Sequence, residues 1–388
     1  MRMDPLPAST YAKRANRLQD EMARSDLDVI IGYSSESESA TTRYLAGFWP
    51  FFDFAGVVVP AKGDPALVTG GPESYEFARE FTGMPQIVVN PLFVETSSPE
   101  WVPQVHEEDF STIIPRVCGS TPKRVGILNW NIFPHLIMED VKKAVPGAEI
   151  LPADDLLLRV QAIKDDEEIP YIREAYRITE EAMKAALEAA EAGKREWELE
   201  AVARSTMLRM GAEGTSYPPW VCSGPNTRMS LARSTNRAIQ RDELVQYTFG
   251  AKYMGYCGNM CRAFGIGSIP EDARKLLDVA LEAMDYTLGA IRPGVPASEV
   301  YRGYHDLLAK YGYEEFTLYG PAHGTGTSEV EGLWLSKSAD FTIEPRMLFN
   351  IDIWLSDGTH GLRLEDGVLV TEEGLEELNN FRREAIIL

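Results

Sequence analysis

Apolar positions along this chain follow two rhythms. Residues 11–25 carry them at helical spacing beneath a charged outer face, whereas 27–31, 55–59, 66–69, 86–89 and 124–128 are short continuous apolar runs. The first pattern predicts an amphipathic helix and the second predicts buried strands. The 55–59 run ends at Pro60 and is followed by the turn Lys62-Gly63-Asp64, and residues 134–144 again read as a helix. Strands alternating with helices predict an α/β domain built on a mainly parallel sheet. Residues 91–108 hold three prolines and no periodicity, which predicts a long surface loop.

The pattern changes near 156–166, dividing the chain into domains 1–156 and 157–388. Residues 167–191 place Ile169, Ile172, Ala175, Ala182 and Ala186 along one helical stripe, and 196–210 predict a second helix. From Thr215 the character is β, with 243–251 and 253–266 as an antiparallel pair. Helices return at 271–291 and 297–311, and strands at 347–355 and 361–371. The order helix-helix-strand-strand, used twice, reads as a duplicated α+β half.

Composition narrows the function classes. The chain has 388 residues, 44% of them apolar and 25% charged, which excludes a disordered chain and suits two domains of roughly 150 residues or more. A net charge of −21 opposes binding to nucleic acid or an anionic membrane and favours small neutral, zwitterionic or cationic ligands. Four cysteines make no disulfide framework and read as reduced thiols. Apolar stretches such as 54–60 fall far short of the roughly 20 residues that span a bilayer. The opening Met1-Arg-Met-Asp-Pro-Leu-Pro has no apolar signal core, so a soluble cytoplasmic protein is expected.

Three segments carry chemistry: 244–264 (Leu-Val-Gln-Tyr-Thr-Phe-Gly-Ala-Lys-Tyr-Met-Gly-Tyr-Cys-Gly-Asn-Met-Cys-Arg-Ala-Phe), Ala322-His-Gly-Thr-Gly326, and 361–371 (Gly-Leu-Arg-Leu-Glu-Asp-Gly-Val-Leu-Val-Thr). They resemble the pita-bread family that includes methionine aminopeptidase, Xaa-Pro aminopeptidase, prolidase and creatinase. Tyr44-Leu-Ala-Gly47 and the connecting Ile163-Lys-Asp-Asp-Glu-Glu-Ile169 resemble the N-terminal domain of creatinase and prolidase. The resemblance implies an α/β N-terminal domain followed by an α+β pita-bread domain.

Metal-dependent members of that family hold two divalent ions with two Asp, one His and two Glu. Carried onto this chain, those positions are Thr248, Asn259, His323, Asp352 and Glu365, so two of four carboxylates are missing. Four positive charges against two carboxylates and an imidazole leave uncompensated repulsion, and Asn and Thr are weak ligands. The resemblance to creatinase, which works without metal, therefore implies a metal-independent hydrolase cleaving a C–N bond of a small zwitterionic or amino-acid-like compound. Creatinase's own catalytic histidine falls on Leu231, and the second histidine of Xaa-Pro peptidases on Val330. His323, Asp352 and Glu365 are the expected proton-transfer set, because two carboxyls brought together without a cation cannot both ionise cheaply.

No cofactor is expected, or at most one divalent ion on His323, Asp352 and Glu365. Asn259, Thr248, Arg228, Arg233, Cys261 and His360 are candidate substrate contacts. Cys257, Asn259 and Cys261 leave one face of a strand, so Cys261 reads either as a nucleophile or as a small buried hydrophobe. The aromatic run at 49–54, with Trp49 and Phe51, reads as packing or, as creatinase-like homodimers imply, as a segment lent to the partner's cleft. Two other readings stay open: a single-metal Xaa-Pro peptidase, and an inactive peptidase fold used for binding.

Overall fold

The computed structural model describes residues 3–95 and 106–388. Two compact units divide the chain, 4–161 and 162–388, with residue 3 joining the second.

The N-terminal unit contains α1 (Ala8–Arg24), β1 (Val29–Ser34), α2 (Ala40–Ala46), β2 (Ala55–Pro60), β3 (Ala66–Thr69), α3 (Pro72–Phe81) and β4 (Gln86–Val89). It continues through α4 (Phe110–Cys118), β5 (Arg124–Ile127), α5 (His135–Ala144), β6 (Glu149–Pro152) and α6 (Asp154–Ala162). Its six strands run in the order β4-β3-β2-β1-β5-β6. Alternate residues of each strand serve two cores. Ile30, Val57, Val59 and Leu67 meet α1, α2, α3 and α6, while Val29, Ile31, Val58 and Val125 meet α4 and α5. The sheet is mixed rather than mainly parallel: β2–β3 is antiparallel across the short turn at 61–65, β1–β2 is antiparallel across a longer connection that holds α2, and the other three pairs are parallel. The unit ends beyond residue 156 because α6 runs through that composition break. Part of the predicted loop, 96–105, lies outside the described residues.

The C-terminal unit opens with α7 (Ile169–Glu188), α8 (Glu196–Arg209), β7 (Gly214–Thr215), β8 (Trp220–Ser223), β9 (Leu244–Tyr253) and β10 (Tyr256–Gly265). It closes with α9 (Glu271–Ala290), α10 (Ala297–Tyr311), β11 (Ala322–Gly324), β12 (Leu348–Ser356), β13 (Gly361–Val370), β14 (Leu375–Glu377) and β15 (Ile386–Ile387). The nine-stranded sheet runs β11-β12-β13-β10-β9-β7, with β8 also on β9. Met254 and Gly255, both at positive φ, make the two-residue turn between β9 and β10, the geometry that matches strand twist. α7 lies close on this hairpin because Gly258 has no side chain: a Cβ there would sit 2.5 Å from the backbone of Ala175 and Tyr176. The Ala251 amide donates to Thr179 Oγ1 at 2.8 Å, fastening helix to sheet. α9 and α10 cover β12 and β13 through Leu276, Ala280, Met284 and Val300 against Phe349, Ile351, Ile353 and Leu364.

Candidate active site

Strand register builds the site. Asp352 on β12 pairs with Glu365 on β13, Glu365 with Cys261 on β10, and Cys261 with Thr248 on β9. Cross-strand partners share a face, so these four form one row across the sheet. His323 on β11 pairs with Asn350, two residues before Asp352 and therefore on the same face of β12. Above the row is a cleft of about 400 Å³ walled by Tyr217, Trp220, Tyr319 and Trp334, into which Glu329, Arg363, His323, Asp352, Glu365 and Thr248 also open.

Glu365 is 1% exposed and surrounded by neutral donors. Asn350 Nδ2 donates to Oε1, while Cys261 Sγ at 2.8 Å and Tyr217 OH at 3.3 Å donate to Oε2. Tyr176 OH on α7 donates to Asn350 Oδ1 at 3.0 Å and so orients the amide that holds Glu365. The Tyr176 ring fits because residue 367 is glycine: a Cβ there would fall 2.2 Å from ring carbons. Burial, with the Asp352 charge next, pushes the Glu365 carboxyl well above the ordinary carboxylate range.

Asp352 has a different environment. Arg363 Nη1 donates to its Oδ2, Arg363 Nη2 donates to the Ser230 carbonyl at 3.2 Å, and Tyr319 and Trp354 rings lie 5.7 Å from the guanidinium. Asp352 Oδ1 is buried with no hydrogen-bond partner. The two carboxyls of the expected acid–base set are therefore unequal, one matched by a fixed cation and one not.

His323 is 1% exposed, with its ring 4.9 Å from that of Trp334. Its Nδ1 lies 2.9 Å from the Gly324 carbonyl, an acceptor, so Nδ1 carries the proton and Nε2 keeps its lone pair. Nε2 is buried, has no hydrogen-bond partner, and sits 3.7 Å from Glu329 Oε1. Donor atoms of His323, Glu329 and Glu365 lie within 4.8 Å of one another. Burial raises the Glu329 carboxyl above its usual range.

Other predicted contacts divide. Thr248 and the exposed Arg233 line the cleft. Arg228 is exposed and is not among the lining residues. His360 lies instead beside Asp272 and Asp357, at 3.6 and 3.8 Å. Asn259 is fully buried on the same face of β10 as Cys261, is not among the lining residues, and neither side-chain atom has a hydrogen-bond partner. Within its own unit, Trp49 stacks edge-on with Phe77 and Phe81 under Arg43, while Phe51 is 56% exposed. Burial pushes the Cys257 thiol up to about 12 and holds Cys261 above its usual value, so both keep their protons and behave as small packed groups rather than nucleophiles.

Sequence reasoning missed Glu329, Arg363, Tyr217 and Asn350. Arg363 was within reach of it: two residues before Glu365 in a strand, it must share that residue's face. A two-ion centre does not fit these residues, since Thr248 and Asn259 are neutral and a guanidinium holds Asp352. One ion fits better: an unpartnered imidazole nitrogen faces two carboxylates in a buried site.

Residues 170–372 match metallopeptidase family M24, and 14–163 match the creatinase/prolidase N-terminal domain. The Xaa-Pro dipeptidase of Pyrococcus furiosus is 29% identical over 254 residues, 65% of this chain and 73% of that one. The Xaa-Pro dipeptidase of Pyrococcus horikoshii is 28% identical over 255 residues, 65% and 72% of the two chains. The crystal structure of the prolidase from Pyrococcus horikoshii OT3 superposes with a TM-score of 0.82 at 23% identity, covering 96% of this chain and all of that one. These relatives overturn the expectation of a metal-independent, creatinase-type enzyme, since the similarity runs to metallopeptidases that act on Xaa-Pro dipeptides. That expectation had rested on the neutral Thr248 and Asn259 at positions where the family resemblance implies carboxylates.

Proposed function

We propose that this chain, which belongs to metallopeptidase family M24, is a prolidase-type hydrolase of small dipeptides that works with one divalent ion. The observation that carries the reading is the buried, unpartnered Nε2 of His323 facing carboxylates in the cleft. His323, Glu365 and a further carboxylate would hold the ion. Bound there, a divalent ion supplies Lewis-acid polarisation of a carbonyl and a more acidic water.

The chain's own residues do the rest. Tyr217, Trp220 and Trp334 give flat apolar walls for a proline ring or an apolar side chain. Arg233 at the mouth offers a guanidinium to a free carboxylate. Glu365 accepts only from the neutral donors Asn350, Cys261 and Tyr217, which leaves its carboxylate without a cation of its own until the ion binds. The exposed Phe51–Phe52 pair, with ring centroids 4.5 Å apart, supports a homodimer, which light scattering checks. Four free cysteines suit a reducing, cytoplasmic setting.

The test is release of free proline from a panel of Xaa-Pro dipeptides by protein stripped with chelator and reloaded with Mn²⁺, Zn²⁺ or Co²⁺. Turnover that appears on reloading with any of them supports the reading. Turnover unaffected by chelation removes it, and loaded protein that cleaves no dipeptide leaves the inactive binding fold as the better account.

A further inference from the structure

We propose that Glu329 has replaced Asp352 as the third donor of the ion site, giving a His323–Glu329–Glu365 set. The proposal rests on the one-ion reading and assigns its ligands. Asp352 stands where the family resemblance implies a ligand, but Arg363 already claims its Oδ2. That guanidinium is itself held by the Ser230 carbonyl and lies 5.7 Å from the Tyr319 and Trp354 rings, which keeps it on Asp352. An ion at Asp352 would share its ligand with a permanent positive charge.

Glu329 has no such competitor. Its Oε1 lies 3.7 Å from the free lone pair of His323, close to the spacing of two donors about 2.1 Å from a common first-row metal. His323 is prepared for ligation by its Nδ1 contact to a backbone carbonyl, the outer bond that fixes ligand tautomer and ring angle. Charge points the same way. With all three carboxyls deprotonated, as ligation requires of Glu329 and Glu365, Glu329, Asp352 and Glu365 against Arg363 carry two negative charges, which one divalent ion neutralises and two would overturn.

The turn that presents Glu329 is anchored on both sides. The Gly324 amide donates to Gly332 at 2.7 Å, and the Glu331 amide returns a bond to Gly324 at 2.9 Å. Glu331 accepts from the Thr327 amide at 2.5 Å and pairs with Lys164 at 2.5 Å, both partners under 5% exposed. Residue 326 is glycine because a Cβ there would lie 2.4 Å from the Glu331 carboxylate. Glu329 therefore projects into the cleft from a backbone that is already tied down.

The experiment is Mn²⁺ binding to chelator-stripped, full-length protein, read by the electron paramagnetic resonance of free Mn²⁺ and by quenching of tryptophan fluorescence, Trp334 being next to His323. Wild-type protein should bind one Mn²⁺ per chain, and Glu329→Gln should weaken it by at least about tenfold with both readouts moving together. Asp352→Asn should weaken it less. Wild-type affinity in a folded Glu329→Gln protein overturns the assignment while leaving the one-ion reading in place, and does so even if Asp352→Asn does not fold. No Mn²⁺ bound by wild type, nor Zn²⁺ by calorimetry, overturns both.

Discussion

Glu365 and Asp366 are consecutive, both are fully buried, and they live in opposite circumstances. Asp366 receives two bonds from Arg262 Nη2 at 2.8 and 3.0 Å and one from Arg383 Nε at 2.7 Å. Glu365 receives only neutral donors and has carboxylates as near neighbours. Strand alternation sends one to each face of β13, so a single dipeptide serves two purposes. A buried carboxylate that brings its own cations fastens the fold. One ringed by uncharged donors has no cation of its own, which leaves it open to an external one.

The contrast is broken or sharpened first at Glu365. Glu365→Gln, which removes a ligand of the proposed ion, should lower metal affinity and turnover by about tenfold or more while leaving the metal-free fold at least as stable as wild type. The sign follows from linkage. The folded chain holds a proton at Glu365 that the unfolded chain releases in the ordinary carboxylate range. Between those two values the native state binds more protons, and metal-free stability falls as pH rises. The Gln variant should lose that decline, and thermal melts of stripped protein from about pH 5 to about pH 8 measure it. A variant less stable than wild type at neutral pH would assign Glu365 to the fold.

Asp366→Asn should do the opposite, costing about 3–5 kcal/mol in urea unfolding because Arg262, 1% exposed, loses its counter-charge. Any of this protein that still folds should bind Mn²⁺ normally; unchanged stability would dissolve the comparison. The smallest expected effect is a gain: Thr248→Asp with Asn259→Asp returns carboxylates to the far end of the row and should raise metal content from about one ion per chain toward two, by plasma emission. A count that stays at one would mean that Arg363, rather than the lost aspartates, excludes the second ion.

What the sequence yielded depended on how each part is held. β9, β10, β12 and β13 are nine- or ten-residue strands, almost wholly buried, so their apolar runs stand out. The helices α2, α3 and α4 did not. They have seven to ten residues, α2 contains two threonines, and α4 carries Pro115 inside, so packing rather than periodicity holds them. His323, Asp352 and Glu365 were named through the family resemblance of their segments, and the structure brings all three to one cleft. Glu329 was not, because it occupies a turn whose shape is set by Glu331 and Gly326, and no repeat in the chain points to it.

Gly367 bears no functional group and lines no part of the cleft, yet it is the seat on which the Tyr176 ring rests. A methyl group added there would displace the ring, release the Asn350 amide and leave Glu365 aimed less well. In a saturation library screened for loss of activity, position 367 should therefore be as intolerant as the residues that handle the substrate.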